Sequence, residues 1–230
     1  MTTMQDAQLD HLTYPLPPWR HGFRTLSVFC AAEHERVERQ LPPQFELRES
    51  VLQITVMRFD STIPERPYYD SAVIAPVRYA GLDGGYWVHG YTSTDQVLSA
   101  TREIWGFKMK LADRIELTET DSRIHGETDR LGSTLISLGL EPTGEAIDVP
   151  DTFPRLFWKV LPQADRPETL IDQVVRMRAE TDIADTIWGK GTIEIRGTAS
   201  DPLDDLGPLE VLAASLVSGD QVLPWGDLVP

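Results

Sequence analysis

Short alternating runs recur along this chain too closely for helices to fit between them, and that spacing constrains the fold more than any other feature. Residues 51–59 (VLQITVMRF), 72–79 (AVIAPVRY) and 86–91 (YWVHGY) alternate apolar and polar positions, the period of a strand with one buried face. Runs with strand character follow at 123–127, 134–140, 155–161, 171–178, 192–196 and 209–216, with turn-rich pieces at 61–67, 81–85, 119–122, 141–144 and 201–208. The three glycines of 81–85 (GLDGG) lack the strand-to-helix setting of a phosphate loop, so they predict a hairpin turn. Many strands with only two or three short helices predict a mainly β, α+β fold, an antiparallel sheet curled into a barrel or a pair of packed sheets. Residues 1–20 read as an N-terminal arm that packs on a neighbouring subunit through Tyr14, Leu16 and Trp19, and residues 21–230 as one domain.

Charge narrows the partners. Subtracting 36 acidic from 21 basic residues gives −15, a balance that repels phosphate backbones and anionic membrane surfaces and predicts neither nucleic acid nor membrane as partner. No apolar run approaches the roughly 20 residues that span a bilayer, and the first residues show no basic-then-apolar leader, so a cytoplasmic location is expected. The single cysteine, Cys30, lies in an apolar run without an activating cation and reads as a buried small hydrophobe. His11, His21, His34, His89 and His125 show no metal-ligand spacing, and no cofactor is expected.

The stretch 93–117 (STDQVLSATREIWGFKMKLADRIEL) changes period within itself. Ser93 and Gln96 form a capping-box pattern, Val97, Leu98, Thr101, Ile104 and Trp105 share a helical face, and Gly106 is a natural stop. Phe107, Met109 and Leu111 then alternate with Lys108 and Lys110, so a helix feeds a strand that shows two lysines on the face opposite its apolar residues.

The run 102–112 (REIWGFKMKLA) resembles the acetoacetate decarboxylase family. Supporting fragments in the same order are 40–47 (QLPPQFEL), Tyr69-Asp70-Ser71 with Pro76-Val77, 154–162 (PRLFWKVLP) and Ile187-Trp188-Gly189. The resemblance covers nearly the whole chain and implies a β-barrel around a ligand cavity, with assembly into a homo-oligomer. In the family a lysine amine, its pKa lowered by apolar surroundings and a second cation, forms an imine with a ketone substrate. That position falls here on Met109, which has no amine; the second lysine falls on Lys110 and the preceding proline on Lys108. The family's acidic residue before Ser falls on Asp70, its second pocket carboxylate on Thr55, and its carboxylate-binding arginine on Phe23, with Arg24 adjacent.

The candidate site is therefore the family pocket rebuilt. Asp70, between Tyr68-Tyr69 and an apolar strand, is the candidate general acid/base, or alternatively a turn aspartate. Lys108 and Lys110 have three readings: structural ion-paired lysines, a cation bordering the pocket, or an imine lysine restored by a bulge. Arg24, Phe23, Thr55, His89, Tyr91, Arg102, Glu103, Phe107 and Met109 complete the substrate-binding set; Glu103 also reads as an ion-pair anchor for its helix, and His89 is expected to share a face with Trp87 and Tyr91. These residues point to a lyase acting on a keto acid or related carbonyl or polyketide-like compound by acid/base and electrostatic catalysis without the imine, of aldolase, dehydratase or cyclase type. Two alternatives stay open: a β-keto acid decarboxylase using Lys108 or Lys110, and a noncatalytic small-molecule binding protein.

Overall fold

A computed structural model describes residues 12–61, 66–120, 122–144 and 146–230. Residues 1–11 of the expected arm, His11 among them, lie outside this range. The chain is mainly β. Among the described residues, fourteen strands form one sheet in the order β14-β11-β10-β5-β4-β3-β1-β13-β12-β9-β8-β7, with β2 added to β4 and β6 to β5. The strands that position the site are β1 (Trp19–Ala31), β3 (Val51–Ser61), β4 (Tyr68–Tyr79), β5 (Leu82–Thr92), β6 (Met109–Leu111), β10 (Arg155–Pro162) and β13 (Glu210–Leu223). Most neighbours are antiparallel, but β6 and β10 each meet β5 in parallel, and the described path does not close, since β7 (Arg114–Glu119) and β14 (Asp227–Val229) end it.

Alternation along these strands produces two cores. One side of β1, β3 and β4 carries Leu26, Val28, Ile54, Val56, Val73 and Ala75, which pack with Ile115, Ile124 and Leu138 of the strands that fold over them. The other side carries Phe23, Met57, Phe59, Tyr68, Ala72 and Ile74, covered by Val97, Trp105, Phe157 and Val175. A central sheet buried on both faces explains why β4 is buried at nine of its twelve positions in an almost continuous run. Tyr14, Leu16 and Trp19, expected to reach a neighbouring subunit, instead pack in the second core of their own chain, and Trp19 is fully buried at the start of β1.

The β4–β5 hairpin turns on Ala80 and Gly81, both at positive φ (49° and 78°), the turn whose twist matches its strands. Pairing runs regularly from Tyr79↔Leu82 to Ile74↔Trp87, then slips by one residue so that Val73 meets His89 and Asp70 meets Thr92. The slip is a bulge at Val88. It corrects the expectation that Trp87, His89 and Tyr91 share a face: Trp87 joins the second core, whereas Tyr91 joins the first and His89 lies opposite first-core Val73.

The central stretch also differs from its sequence reading in detail. Its helix α1 (Asp95–Ala100) is capped by Thr94, whose Oγ1 accepts from Val97 N at 3.3 Å, because the expected cap Ser93 is engaged elsewhere, its Oγ accepting from Tyr69 N of β4 at 2.9 Å. A π-helical turn, Thr101–Trp105, follows and ends at Gly106, whose φ of 87° is the left-handed stop anticipated. There a Cβ would lie 2.6 Å from Lys159 Cβ, so both conformation and space require glycine. The strand that follows is only Met109–Leu111.

Candidate active site

Cross-strand register sets two rows of side chains on the second-core face. One runs Val217–Thr25–Met57–Asp70–Thr92 across β13, β1, β3, β4 and β5. The next runs Ser215–Ser27–Thr55–Ala72–Gly90–Met109, ending on β6. Neighbouring strands lie about 4.8 Å apart, so residues in a row touch and the two rows meet diagonally. The sequence-predicted Asp70, Thr55 and Met109 are thus brought together, with Phe23 one row beyond Asp70 beside Phe59 and Tyr68.

Met109 is fully buried. Its thioether lies over Gly90, where a Cβ would come within 2.8 Å of Sδ and 3.0 Å of the Trp87 ring, so glycine makes the room that methionine fills. Phe107 closes this side, stacked on Phe157 at 3.7 Å and edge-on to Trp87 at 5.0 Å. The result is an apolar shell around a few polar groups.

Those polar groups are unusual for what they lack. Among the described residues, Thr55 Oγ1, Asp70 Oδ1, Trp87 Nε1 and Thr92 Oγ1 are buried without a hydrogen-bond partner, although interior polar atoms are nearly always paired and each orphan costs about 1–3 kcal/mol. Desolvation raises the Asp70 carboxyl from 3.8 to about 7; the Thr92 hydroxyl beside it pulls the other way but stops short of a full hydrogen bond. Asp70 is therefore poised between acid and base near neutrality. Tyr68 lies on the same face, its hydroxyl 3.3 Å from His21 Nε2, and burial followed by the Asp70 charge pushes its phenol well up. Sequence reasoning missed Thr92, because only the bulge places it opposite Asp70.

Lys110 points away from this cluster. Its Nζ lies 2.7 Å from Oδ1 of the fully buried Asp201 and also donates to the Ser200 carbonyl, while Arg130 approaches the same carboxylate at 3.2 Å. Burial alone would raise Asp201, but hydrogen bonding and charge from Lys110, with the charge of Arg130, hold it below its ordinary value. Lys110 is thus ion-paired with Asp201, the arrangement that the first of its three readings describes. Lys108 is exposed and, with Arg102, Gly106, Phe107 and Trp158, lines a surface groove of about 330 Å³; desolvation and then Lys110 lower its amine. Arg102 donates to the Met109 carbonyl at 3.1 Å, holding β6 in place.

The remaining predicted residues divide in the same way. Arg24 is half exposed and ion-paired to Glu119 at 2.7 Å. Glu103 accepts from the Tyr14 hydroxyl at 2.6 Å and so anchors the chain's own arm. Tyr91 lies in the first core, and His89 beside it is held at about 4 by burial, with Lys108 and Lys110 adding to the effect. Among the predicted residues, Phe23, Thr55, Asp70, Phe107 and Met109 lie together on the second-core side; Arg24, His89, Tyr91, Arg102, Glu103, Lys108 and Lys110 lie away from that cluster. Among the described residues no group of three His, Cys, Asp or Glu side chains could hold a metal ion.

A profile of the family described as Acetoacetate decarboxylase (ADC) matches residues 9–229. The chain belongs to the acetoacetate decarboxylase family. It is 24% identical over 225 residues to an acetoacetate decarboxylase of Paraburkholderia phytofirmans, covering 94% of this chain and 88% of that protein. It is 25% identical over 226 residues to one of Acidiphilium cryptum, covering 94% and 90%. The fold superposes on the crystal structure of acetoacetate decarboxylase from Legionella pneumophila with a TM-score of 0.86 at 24% identity, covering 95% of this chain and 90% of that one. It also superposes on the enduracididine biosynthesis enzyme MppR complexed with pyruvate, with a TM-score of 0.81 at 15% identity, covering 95% and 93%. The family's fold is thus present throughout the chain.

Proposed function

We propose that this member of the acetoacetate decarboxylase family is a lyase-type enzyme that acts on a carbonyl compound through acid/base and electrostatic catalysis centred on Asp70, without a lysine imine. The observation that carries the reading is the buried Asp70 carboxyl, raised to about 7, in a cluster with the fully buried Met109, the residue that the resemblance sets at the family's amine position. As a neutral acid, Asp70 donates a proton to a carbonyl oxygen; as a carboxylate, it removes one from the carbon beside that carbonyl. The Thr55 and Thr92 hydroxyls and the Trp87 indole N–H, all without partners, supply donors for the oxygen on which negative charge develops. Because Lys110 is committed to Asp201, its amine is not offered as a nucleophile. The likeness to MppR, whose complex contains pyruvate, supports a carbonyl ligand for a fold of this shape.

Turnover of a panel of ketones, β-diketones, β-keto esters and keto acids, followed by mass spectrometry, tests the reading. A substrate found this way is expected to lose at least 100-fold in rate with Asp70→Asn and to retain its rate with Lys110→Met. Unchanged turnover in Asp70→Asn removes the proposed role. Homo-oligomeric assembly belongs to the same reading: Leu170 of β11 (Thr169–Met177), Leu228 of β14 and Trp225 just before β14 expose apolar surface at the end of the sheet, and light scattering would read the mass.

A further inference from the structure

Among the described residues, the cluster around Asp70 is built from donors and apolar groups, with no positive charge. Across the two rows, from Val217 to Thr92 and from Ser215 to Met109, the only ionisable side chain is Asp70 itself. Resting on the function proposed above, we infer that the site selects uncharged carbonyl compounds, ketones or keto esters with an apolar body, and rejects the corresponding keto acids.

The described cations nearest in sequence to the site lie away from it: Lys108 is exposed on its surface groove and Lys110 pairs with Asp201. Arg24 pairs with Glu119 and Arg58 with Asp60, both on the opposite side of their strands. Two cations on β10, Arg155 and Lys159, stand two residues either side of Phe157 and so share its second-core side. Arg155, pushed down to about 9 by burial, donates through Nη1 to the Thr152 carbonyl at 2.7 Å, and its Cζ lies 4.1 Å from the Phe153 ring centre. It is held at the Gly85 end of the sheet, where a Cβ on that glycine would meet Nη1 at 2.7 Å. Lys159 donates to the Ile104 carbonyl at 3.2 Å.

A carboxylate entering the cluster would lose its water, meet no cation and face a second carboxyl group. A neutral carbonyl needs only what is there: its oxygen accepts from Thr55, Thr92, the Trp87 indole or protonated Asp70, which satisfies donors that otherwise stay unpaired. The rest of such a molecule meets Met57, Ala72, Met109 and Phe107, where apolar surface favours burial. Specificity then comes from an uncompensated charge in the wrong ligand as much as from contacts with the right one.

Acetoacetate and methyl acetoacetate share one skeleton and differ in charge, so their binding to the full chain at pH 7, measured by calorimetry, isolates the effect. The ester is expected to bind at least tenfold more tightly than the acid, and Thr55→Val to weaken the ester at least fivefold while leaving the fold intact by circular dichroism. Equal or tighter binding of the acid overturns the inference; if Asp70→Asn still abolishes turnover of that acid, the acid/base function stands without it. An ester affinity unchanged in both Thr55→Val and Asp70→Asn overturns the inference and the assignment of the site together.

Discussion

Replacing Asp70 with asparagine should make the protein more stable at pH 8 and leave its stability nearly unchanged at pH 4. The carboxyl has an ordinary value of 3.8 in the unfolded chain and about 7 in the fold, where desolvation dominates. Below pH 3.8 both states hold the proton and the shift contributes fully to stability. Between pH 4 and 7 the unfolded state releases the proton while the folded state keeps it, so stability falls by about 1.4 kcal/mol per pH unit. Above pH 7 the fold carries the ionised group, and the accumulated loss is about 4 kcal/mol. Asparagine is nearly isosteric and never ionises, so the variant lacks this slope while sharing all other titrations with the parent. Urea unfolding from pH 4 to pH 8.5 would measure it. With an m-value of about 3 kcal/mol per molar for a domain of this size, the midpoint difference should grow by about 1 M across the range, in favour of the variant at high pH. A difference between the two proteins that does not vary with pH would refute the claim that Asp70 is desolvated and held near neutrality.

Three further substitutions probe the neighbourhood. Met109→Lys places an amine in the apolar shell beside Asp70, where desolvation lowers its pKa; after borohydride reduction with acetoacetate or acetone it should carry a covalent adduct in the mass spectrum, and an unmodified variant would show that residue 109 does not face a ligand. Gly90→Ala drives a methyl to within 2.8 Å of Met109 Sδ and should cost about 1–3 kcal/mol, read as a lower thermal midpoint, with less loss in a Met109→Ala background. Lys110→Met leaves the buried Asp201 with one cation, Arg130, among the described residues and should cost about 1–3 kcal/mol by chemical denaturation while turnover stays within twofold; a larger fall in turnover at intact stability would return that lysine to the mechanism.

Much of the fold was legible because its signals are local. Alternation in 51–59 and 72–79, the glycine turn at 81–85 and the helix-to-strand change ending at Gly106 each lie within a dozen residues, and the family resemblance supplied their arrangement. The placement of Met109 inside and Lys110 outside followed from the period of two. Register across strands was not legible. Counting outward from Tyr79↔Leu82 sets Asp70 opposite Tyr91, and only the bulge at Val88 replaces that partner with Thr92 and separates Trp87 from His89. Nor could the sequence show that Lys110 meets Asp201, 91 residues away, or that Tyr14 of the arm meets Glu103. Long-range pairs of this kind depend on how strands stack, which local pattern does not encode.

The proposed absence of imine chemistry is tested most directly on the unmodified chain. Incubation with acetoacetate, and separately with the substrate found by the turnover panel, followed by borohydride reduction and intact mass measurement, should leave the mass of the protein unchanged and its turnover intact. A reduced adduct mapped to Lys108, Lys110 or any other lysine, together with lost activity, would contradict the account.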